Sequence, residues 1–409
     1  MANRKNILVL TYWSYKDALV QAYTLPYLRI IYSQLEKGSK IFLITFEQKK
    51  QRLSPNEKAQ IKERLKLQGI HLITLNYSKF SAFSVFKWAF YFAHMVGLIF
   101  FRRINFIHAW CTPAGSIAYI LSVITGKKLI IDSYEPHADA MVENNTWKPD
   151  SLQFRFLFKL ERKLTRHASI IISATKSMHE YAFKRYGHNI KNFYVKPACV
   201  DGSFFAPKKR KTEELLRQLK LKDKITCIYA GKFGGIYLTT EIFDFFKVAQ
   251  DFWHDNFRVL VLSNHPKDQL YGWAKAAGLD EKNLIVRFVS HEEIPEFMGL
   301  GDFAITPVKP IPSKRYCTPI KDGEYWALGL PVVITKNISD DSDIIKENEI
   351  GVVLEELNVE NYKKACMQID LILKNYEGDK LQDKIRNIAY KYRSYSIAES
   401  VYKEIYSSE

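Results

Sequence analysis

A chain of 409 residues that is 47% hydrophobic and 25% charged has the composition of a globular protein, which excludes a disordered chain, a collagen-like repeat and a coiled coil. The length is too great for one core and predicts two domains. The formal charge of +16 is uneven: residues 1–200 carry 30 basic and 12 acidic side chains, and residues 201–409 carry 30 and 32, so a negative partner is expected to meet the N-terminal half.

In chain order, Ile7–Thr11 reads as a strand, Asp17–Gly38 as a helix closed by glycine, and Lys40–Phe46 as a strand. Glu57–Gly69 is a charged amphipathic helix and His71–Leu75 a strand. Residues 80–101, FSAFSVFKWAFYFAHMVGLIFF, are long enough to span a bilayer, but Lys87 and His94 interrupt them. The charge-free piece Trp88–Phe101 is too short to cross. The segment is therefore read as a crossover helix, either buried or lying at a bilayer surface with Lys79, Lys87, Arg102 and Arg103 at its edges. Phe106–Trp110 is a strand, Ala114–Gly126 a helix, Lys128–Asp132 a strand, Phe154–His167 a basic helix and Ser169–Ser173 a strand.

Pro197–Arg210 reads as a linker. Beyond it the strand candidates are Ile225–Ala230, Arg258–Leu262, Leu284–Phe288, Phe303–Thr306, Pro331–Thr335 and Gly351–Leu354, with helical patterns between them. This β-α-β rhythm predicts an α/β protein of two tandem doubly wound, Rossmann-like domains, residues 1–205 and 206–389, facing a central cleft. A last helix, about 390–409, is expected to pack back on the first domain.

The cysteines at 111, 199, 227, 317 and 366 have no two-residue spacing, which points to a reduced compartment. The start, MANRKNILVLTYW, lacks the pattern of a signal peptide. A cytoplasmic location, peripheral on the inner membrane face, is the expectation.

The strongest local signal is CTPIKDGEYWALGLPVVIT, residues 317–335. Thr318 and Pro319 can cap and begin a helix, Glu324 then falls in its second turn, and Gly329 ends it. Such a helix N-terminus suits a diphosphate, with Lys321 adding charge and Glu324 accepting hydrogen bonds from a ribose diol. The plainer alternative is a capped helix with a solvated Lys and Glu. The second signal is YAGKFGGIY, residues 229–237, where Gly231, Gly234 and Gly235 permit close backbone approach and Lys232 can hold a phosphate. It lacks the spacing of a dinucleotide fingerprint, and a tight strand-to-helix loop is its alternative.

VKPACVDGSFFAP (195–207), YAGKFGG (229–235), FVSHEEIPEFMGLGDFAITP (288–307) and PIKDGEYWALGLPVVIT (319–335) together resemble, in order and spacing, glycosyltransferases of the GT-B fold. The retaining family numbered four is the nearest resemblance. It implies a nucleotide-sugar donor on the second domain, with UDP slightly preferred to GDP. Lys232 would contact the donor phosphates and Glu324 the ribose. The amides of Thr318 and Ile320, flanking Pro319, would lie by the diphosphate and sugar, and Ser290 and His291 near the base. His137 would lie by the transferred sugar. Three positions depart from the family pattern. Tyr316 stands where the first of two glutamates is expected, Leu238 where a second basic residue is expected, and TYWSYKD (11–17) replaces a glycine-rich loop.

The resemblance implies a transfer without metal. Lys232, Lys321 and the helix N-terminus would stabilise the departing diphosphate as the sugar becomes oxocarbenium-like. The acidic run DDSD (340–343) is read as capping and first-turn acids of a helix rather than a metal site. Tyr12, Trp13, Lys16, His108 and Trp110 end strands of the first domain and are candidates for acceptor contact. The expected acceptor is a glycan or polyprenyl-diphosphate-linked glycan at an anionic membrane surface, in cell-surface polysaccharide synthesis. A nucleotide-sugar isomerase of the 2-epimerase type and a non-catalytic relative are the alternatives. A nucleic-acid binder is disfavoured, because no helix-turn-helix, zinc-finger or RNA-binding signature accompanies the charge.

Overall fold

The structure is a computed structural model that describes residues 4–78, 84–375 and 379–407. Strands and helices alternate. The N-terminal half runs β1 (Asn6–Leu10), α1 (Leu25–Ser33), β2 (Ile41–Glu47), α2 (Pro55–Lys66), β3 (Ile70–Asn76), α3 (Val85–Phe101) and β4 (Ile104–Trp110). It continues with α4 (Cys111–Thr125), β5 (Lys128–Tyr134), α5 (His137–Glu143), α6 (Leu152–His167), β6 (Ile170–Ser173), α7 (Ser177–Tyr186) and β7 (Phe193–Val195).

The C-terminal half runs α8 (Glu213–Gln218), β8 (Ile225–Ala230), α9 (Thr240–Trp253), β9 (Phe257–Leu262), α10 (Lys267–Ala277), β10 (Leu284–Arg287) and α11 (Ile294–Met298). There follow β11 (Phe303–Thr306), α12 (Ile320–Ala327), β12 (Val332–Thr335), α13 (Asp341–Asn348), β13 (Gly351–Leu354), α14 (Val359–Lys374), α15 (Lys380–Arg393) and α16 (Tyr395–Ser407).

Two compact units result. The first holds the chain up to Lys196 and again from Ser396; the second is Pro197–Tyr395. The first contains a seven-stranded sheet in the order β3-β2-β1-β4-β5-β6-β7, and the second a six-stranded sheet in the order β10-β9-β8-β11-β12-β13. Every strand pairing is parallel. Helices cover both faces, so strands are apolar on both: all seven residues of β2 are buried. Fold class and tandem arrangement are therefore as the sequence predicts.

Three elements differ from the sequence pattern. The helix expected over Asp17–Gly38 is continuous from 18 to 33, but it contains a π-helical turn, Val20–Thr24, before α1 and ends at Ser33. Pro26 has no N–H to give residue 22, and the wider turn accommodates that gap. The aromatic helix begins at Val85, after Ser84; Lys79 and residues 80–83 lie outside the described residues. The terminal segment is two helices, because Ser394 is extended (φ −72°, ψ 152°) and bridges to Val200.

Candidate functional site

A doubly wound sheet opens a crevice at the carboxyl ends of its strands where the strand order reverses. In the second sheet that point lies between β8 and β11. The loop after β8 carries Gly231–Gly235, and the loop after β11 leads into α12. An antiparallel bridge between Tyr237 and Val308 joins the two loops. Around it the Leu238 N–H donates to Pro307 O at 2.8 Å and the Lys309 N–H to Ile236 O at 2.9 Å. The helix α12 is drawn to the same place from both strands. The Tyr325 hydroxyl accepts the Ala230 N–H at 2.9 Å, and the Thr306 hydroxyl donates to the Asp322 carboxyl. The loop bearing Lys232 and the helix bearing Lys321 and Glu324 thus flank one switch point, although they are far apart in sequence.

Gly234 and Gly235 have φ of +77° and +62°, the left-handed region that glycine enters without strain. At Gly231 the close approach is made by the protein itself. A Cβ there would lie 3.0 Å from the Tyr229 hydroxyl, which donates to Lys232 O. The Lys232 side chain is exposed. Lys321 and Glu324 form an ion pair of 2.6 Å in which the Glu324 side chain is 9% exposed and Lys321 36%.

The start of α12 differs from the sequence reading. Pro319 occupies the cap position without a side-chain cap, the helix starts at Ile320, and the Thr318 hydroxyl instead meets the Ser339 hydroxyl at 3.2 Å. The whole loop is laced to the start of α13. The Ser339 N–H donates to Lys314 O at 2.9 Å, and Arg315 donates to Ser339 O at 2.7 Å and to Asp343 at 2.6 Å. Tyr316 is half-buried within this laced loop. Gly329, with φ +73°, follows the helix.

Ser290 and His291 lie after β10, which β9 separates from β8. The Ser290 N–H and hydroxyl both donate to Glu293, at 2.9 and 2.7 Å, and His291 stacks on Phe204 with centroids 5.2 Å apart. The helix N-terminus in DDSD also departs from a simple cap. Asp340 makes no side-chain cap, Asp343 pairs with Arg315, and Asp341 turns into the core.

In the first sheet the order reverses between β1 and β4. Tyr12, Trp13 and Lys16 follow β1. Tyr12 is half-buried against Tyr77 at 5.7 Å, and burial, then Tyr77, push its hydroxyl above the ordinary value. Lys16 pairs with Glu57 at 2.8 Å. His137 opens α5, 3.6 Å from Glu135. His108 and Trp110 do not line a crevice: both are fully buried and stack at 4.4 Å. The reason is that β4 is a central strand and α16 closes over it. The Tyr406 hydroxyl lies 2.7 Å from His108 Nδ1.

Residues 209–392 match the family described as Glycosyl transferases group 1. Solved structures agree across the whole chain. HepE of Anabaena, crystallised with UDP, superposes with a TM-score of 0.71 at 15% identity, covering 99% of this chain and 100% of that one. A glycosyltransferase of Rickettsia africae gives 0.68 at 15% identity over 99% and 98%. WaaG, a glycosyltransferase of lipopolysaccharide biosynthesis, gives 0.69 at 14% identity over 98% and 100%. Residues 209–392 thus carry a group 1 glycosyl transferase domain, and the chain as a whole has the GT-B fold of these structures. No curated protein matches its sequence significantly.

Sequence reasoning missed the buried charges of this protein. In the second unit, Arg393 at the end of α15 pairs with Asp341, which neighbours Asp322 on α12; all three are at most 1% exposed. Burial, then the neighbouring Asp341, raises Asp322 well above the ordinary carboxylate value, so it is held neutral. The pair shares one proton and Arg393 balances the remaining charge. This cluster ties α12, α13 and α15 together at Asp322, two residues before Glu324 on α12.

In the first unit, Asp132 meets Lys196 at 3.3 Å, His108 Nε2 at 3.3 Å and the Tyr402 hydroxyl at 2.6 Å, all fully buried. Burial alone would raise Asp132, but Lys196 and His108 bring it down to about 2. Lys196 also sits 3.8 Å over the Tyr27 ring. Glu161 on α6 is buried, accepting the Ala138 N–H and the Tyr186 hydroxyl at 3.0 Å each; burial pushes it up to about 8. Nothing in residue type or spacing separates these charges from solvated ones.

Proposed function

We propose that this protein is a glycosyltransferase that moves a sugar from a nucleoside-diphosphate donor, UDP-linked in preference to GDP-linked, onto a glycan or polyprenyl-diphosphate-linked glycan. The carrying observation is that the Lys232 loop and α12 flank the switch point of the second sheet. The ribose would hydrogen-bond to Glu324, beside its Lys321 partner. The diphosphate would lie on the first N–H groups of α12, close to Gly231, Gly234 and Gly235, with Thr318, Pro319 and Ile320 along its edge. As the anomeric bond breaks, negative charge grows on the phosphate, and Lys232 and Lys321 stabilise it where it forms. Retention of configuration follows if the acceptor hydroxyl attacks on the face the phosphate leaves, with that phosphate taking the proton.

HepE binds UDP and, in further crystal structures, UDP with glucose and UDP-glucose, which supports a UDP donor here. The excess of positive charge in residues 1–200 supports an anionic acceptor handled by the first unit, with Tyr12, Trp13, Lys16 and His137 as its contacts. Among the described residues no helix is long and apolar enough to cross a membrane. A peripheral place on the inner membrane face and a role in cell-surface polysaccharide synthesis complete the reading.

The test is a thermal-shift panel of nucleotides without added metal. UDP at about 100 times its Kd should stabilise by roughly 2.7 kcal/mol. Glu324→Ala should abolish that shift while leaving the unliganded melt near wild type. A UDP shift that survives Glu324→Ala would remove the site from α12.

A further inference from the structure

The helix α3 presents an unusual outward face. Trp88, Tyr91, Met95 and Ile99 are its buried stripe. Opposite them, at intervals of three and four residues, stand Phe86, Phe90, Ala93, Gly97, Phe100 and Phe101, all exposed. Phe86 is 88% exposed and Phe101 79%. A surface helix ordinarily carries charged groups on this arc; here His94 is the one polar residue on it. The neighbouring helix α4 continues the surface with Ile120, Val123 and Ile124, exposed by 39, 54 and 58%. Single exposed apolar residues are ordinary, but a contiguous set on two adjoining helices marks a docking surface.

The charge around this surface is predominantly positive. Residues 64–131 contain no Asp or Glu, and eight Lys or Arg. The helices α3 and α4 run into adjacent parallel strands, so Arg102 and Arg103 before β4 gather beside Lys127 and Lys128 at the start of β5. On the far side α4 packs against α6, whose exposed face bears Arg155, Lys159, Arg162, Lys163 and Arg166. The lone acid of α6, Glu161, is turned into the core. An apolar centre with a predominantly cationic rim, in which Asp150 beside Arg155 at 3.9 Å is an exposed acid, complements an anionic lipid surface: phenyl rings enter the acyl boundary and the cations meet the headgroups. A second copy of this chain would bring the same positive rim against itself and be repelled.

We propose that the α3–α4 face docks on an anionic lipid bilayer, the phenylalanines of α3 inserting and Arg102, Arg103, Lys127 and Lys128 holding the headgroups. This deepens the reading of a membrane-peripheral glycosyltransferase and rests on it, giving that enzyme a specific lipid-facing surface.

The test uses the full chain and sedimentation with vesicles, either phosphatidylcholine alone or phosphatidylcholine and phosphatidylglycerol in equal parts. Wild type should bind the anionic vesicles, weakly or not at all the neutral ones, and release with salt. Phe86→Ser and Phe90→Ser remove exposed rings and leave the buried stripe intact, so melts should match wild type. Each should weaken vesicle binding about tenfold, as expected for losing one inserted ring. Arg103→Gln with Lys128→Gln should reduce the preference for anionic vesicles.

Vesicle binding unchanged in both Phe variants would overturn the surface while leaving peripheral attachment standing. Absence of wild-type binding, or a dimer in sedimentation velocity that the Phe variants dissolve, would overturn it as well. UDP binding measured on the same preparations keeps the donor reading separate: it should be equal in all of them, and its loss in all would sink that reading alone.

Discussion

Arg393→Met isolates the cluster beneath α12. The wild-type guanidinium is 1% exposed and balances the single charge that Asp341 and Asp322 retain. Removing it strands that charge in the core, and breaking a buried pair in this way costs about 3–5 kcal/mol. For a unit of this size, at about 2–4 °C per kcal/mol, the second unit should melt roughly 6–20 °C lower. The loss should depend on pH with a definite sign. The stranded carboxylate recovers neutrality by taking a proton, so its folded value rises above the ordinary 3.8. Stability is then fully present below 3.8 and is lost as pH rises, at about 1.4 kcal/mol per unit, up to the raised value. Urea unfolding at several pH values reads this directly. Adding Asp341→Asn to Arg393→Met removes the stranded charge and should restore most of the loss. UDP affinity should weaken in the single variant and recover in the double, because α12 regains its anchorage. A loss below about 1 kcal/mol, or additive effects in the double variant, would refute the reasoning.

Two further outcomes are expected from the same structure. Glu161 has its folded value raised by burial from 4.5 to about 8, so its contribution is complete below 4.5 and lost as pH rises through about 8. Glu161→Gln should raise the melting temperature on the alkaline side and flatten its fall across that window; an unchanged profile would mean the carboxyl is not held neutral. At Gly329, φ is +73° and a Cβ would lie 2.8 Å from the Gln382 side chain and 2.9 Å from its backbone. Gly329→Ala should cost at least about 1 kcal/mol in urea unfolding, since both the left-handed backbone and the α12–α15 contact are strained.

The β-α-β rhythm was legible because it is written in local pattern. Apolar β-branched runs such as IFLITF and ITCIYA can only be buried strands, and the acidic and basic helices between them supply the crossovers. The loop bearing Lys232 and the helix bearing Lys321 and Glu324 were legible for a similar reason: glycine turns and a proline-led helix announce themselves over short spans. The break at Ser394 and the π turn before α1 were not, because helical periodicity continues through both and only a bridge to Val200 and the missing N–H of Pro26 decide the backbone there.

Which strand lies beside which was beyond local pattern. The adjacency of β8 and β11, and of β1 and β4, arises from how each half of a sheet is wound, and it determines which loops share a crevice. Burial of polar groups was equally beyond it. His108 and Trp110 end a strand and look available, yet α16, from the far end of the chain, closes over them. Asp341 reads as a helix cap, and Arg393 and Lys196 as solvated cations, until three elements converge and leave them no water. By itself the sequence determined the layers and the order of elements, since these depend on neighbours along the chain. Only the tertiary structure decided which charges are sealed inside and which apolar helix face is left outside, because burial depends on what distant segments bring against a residue.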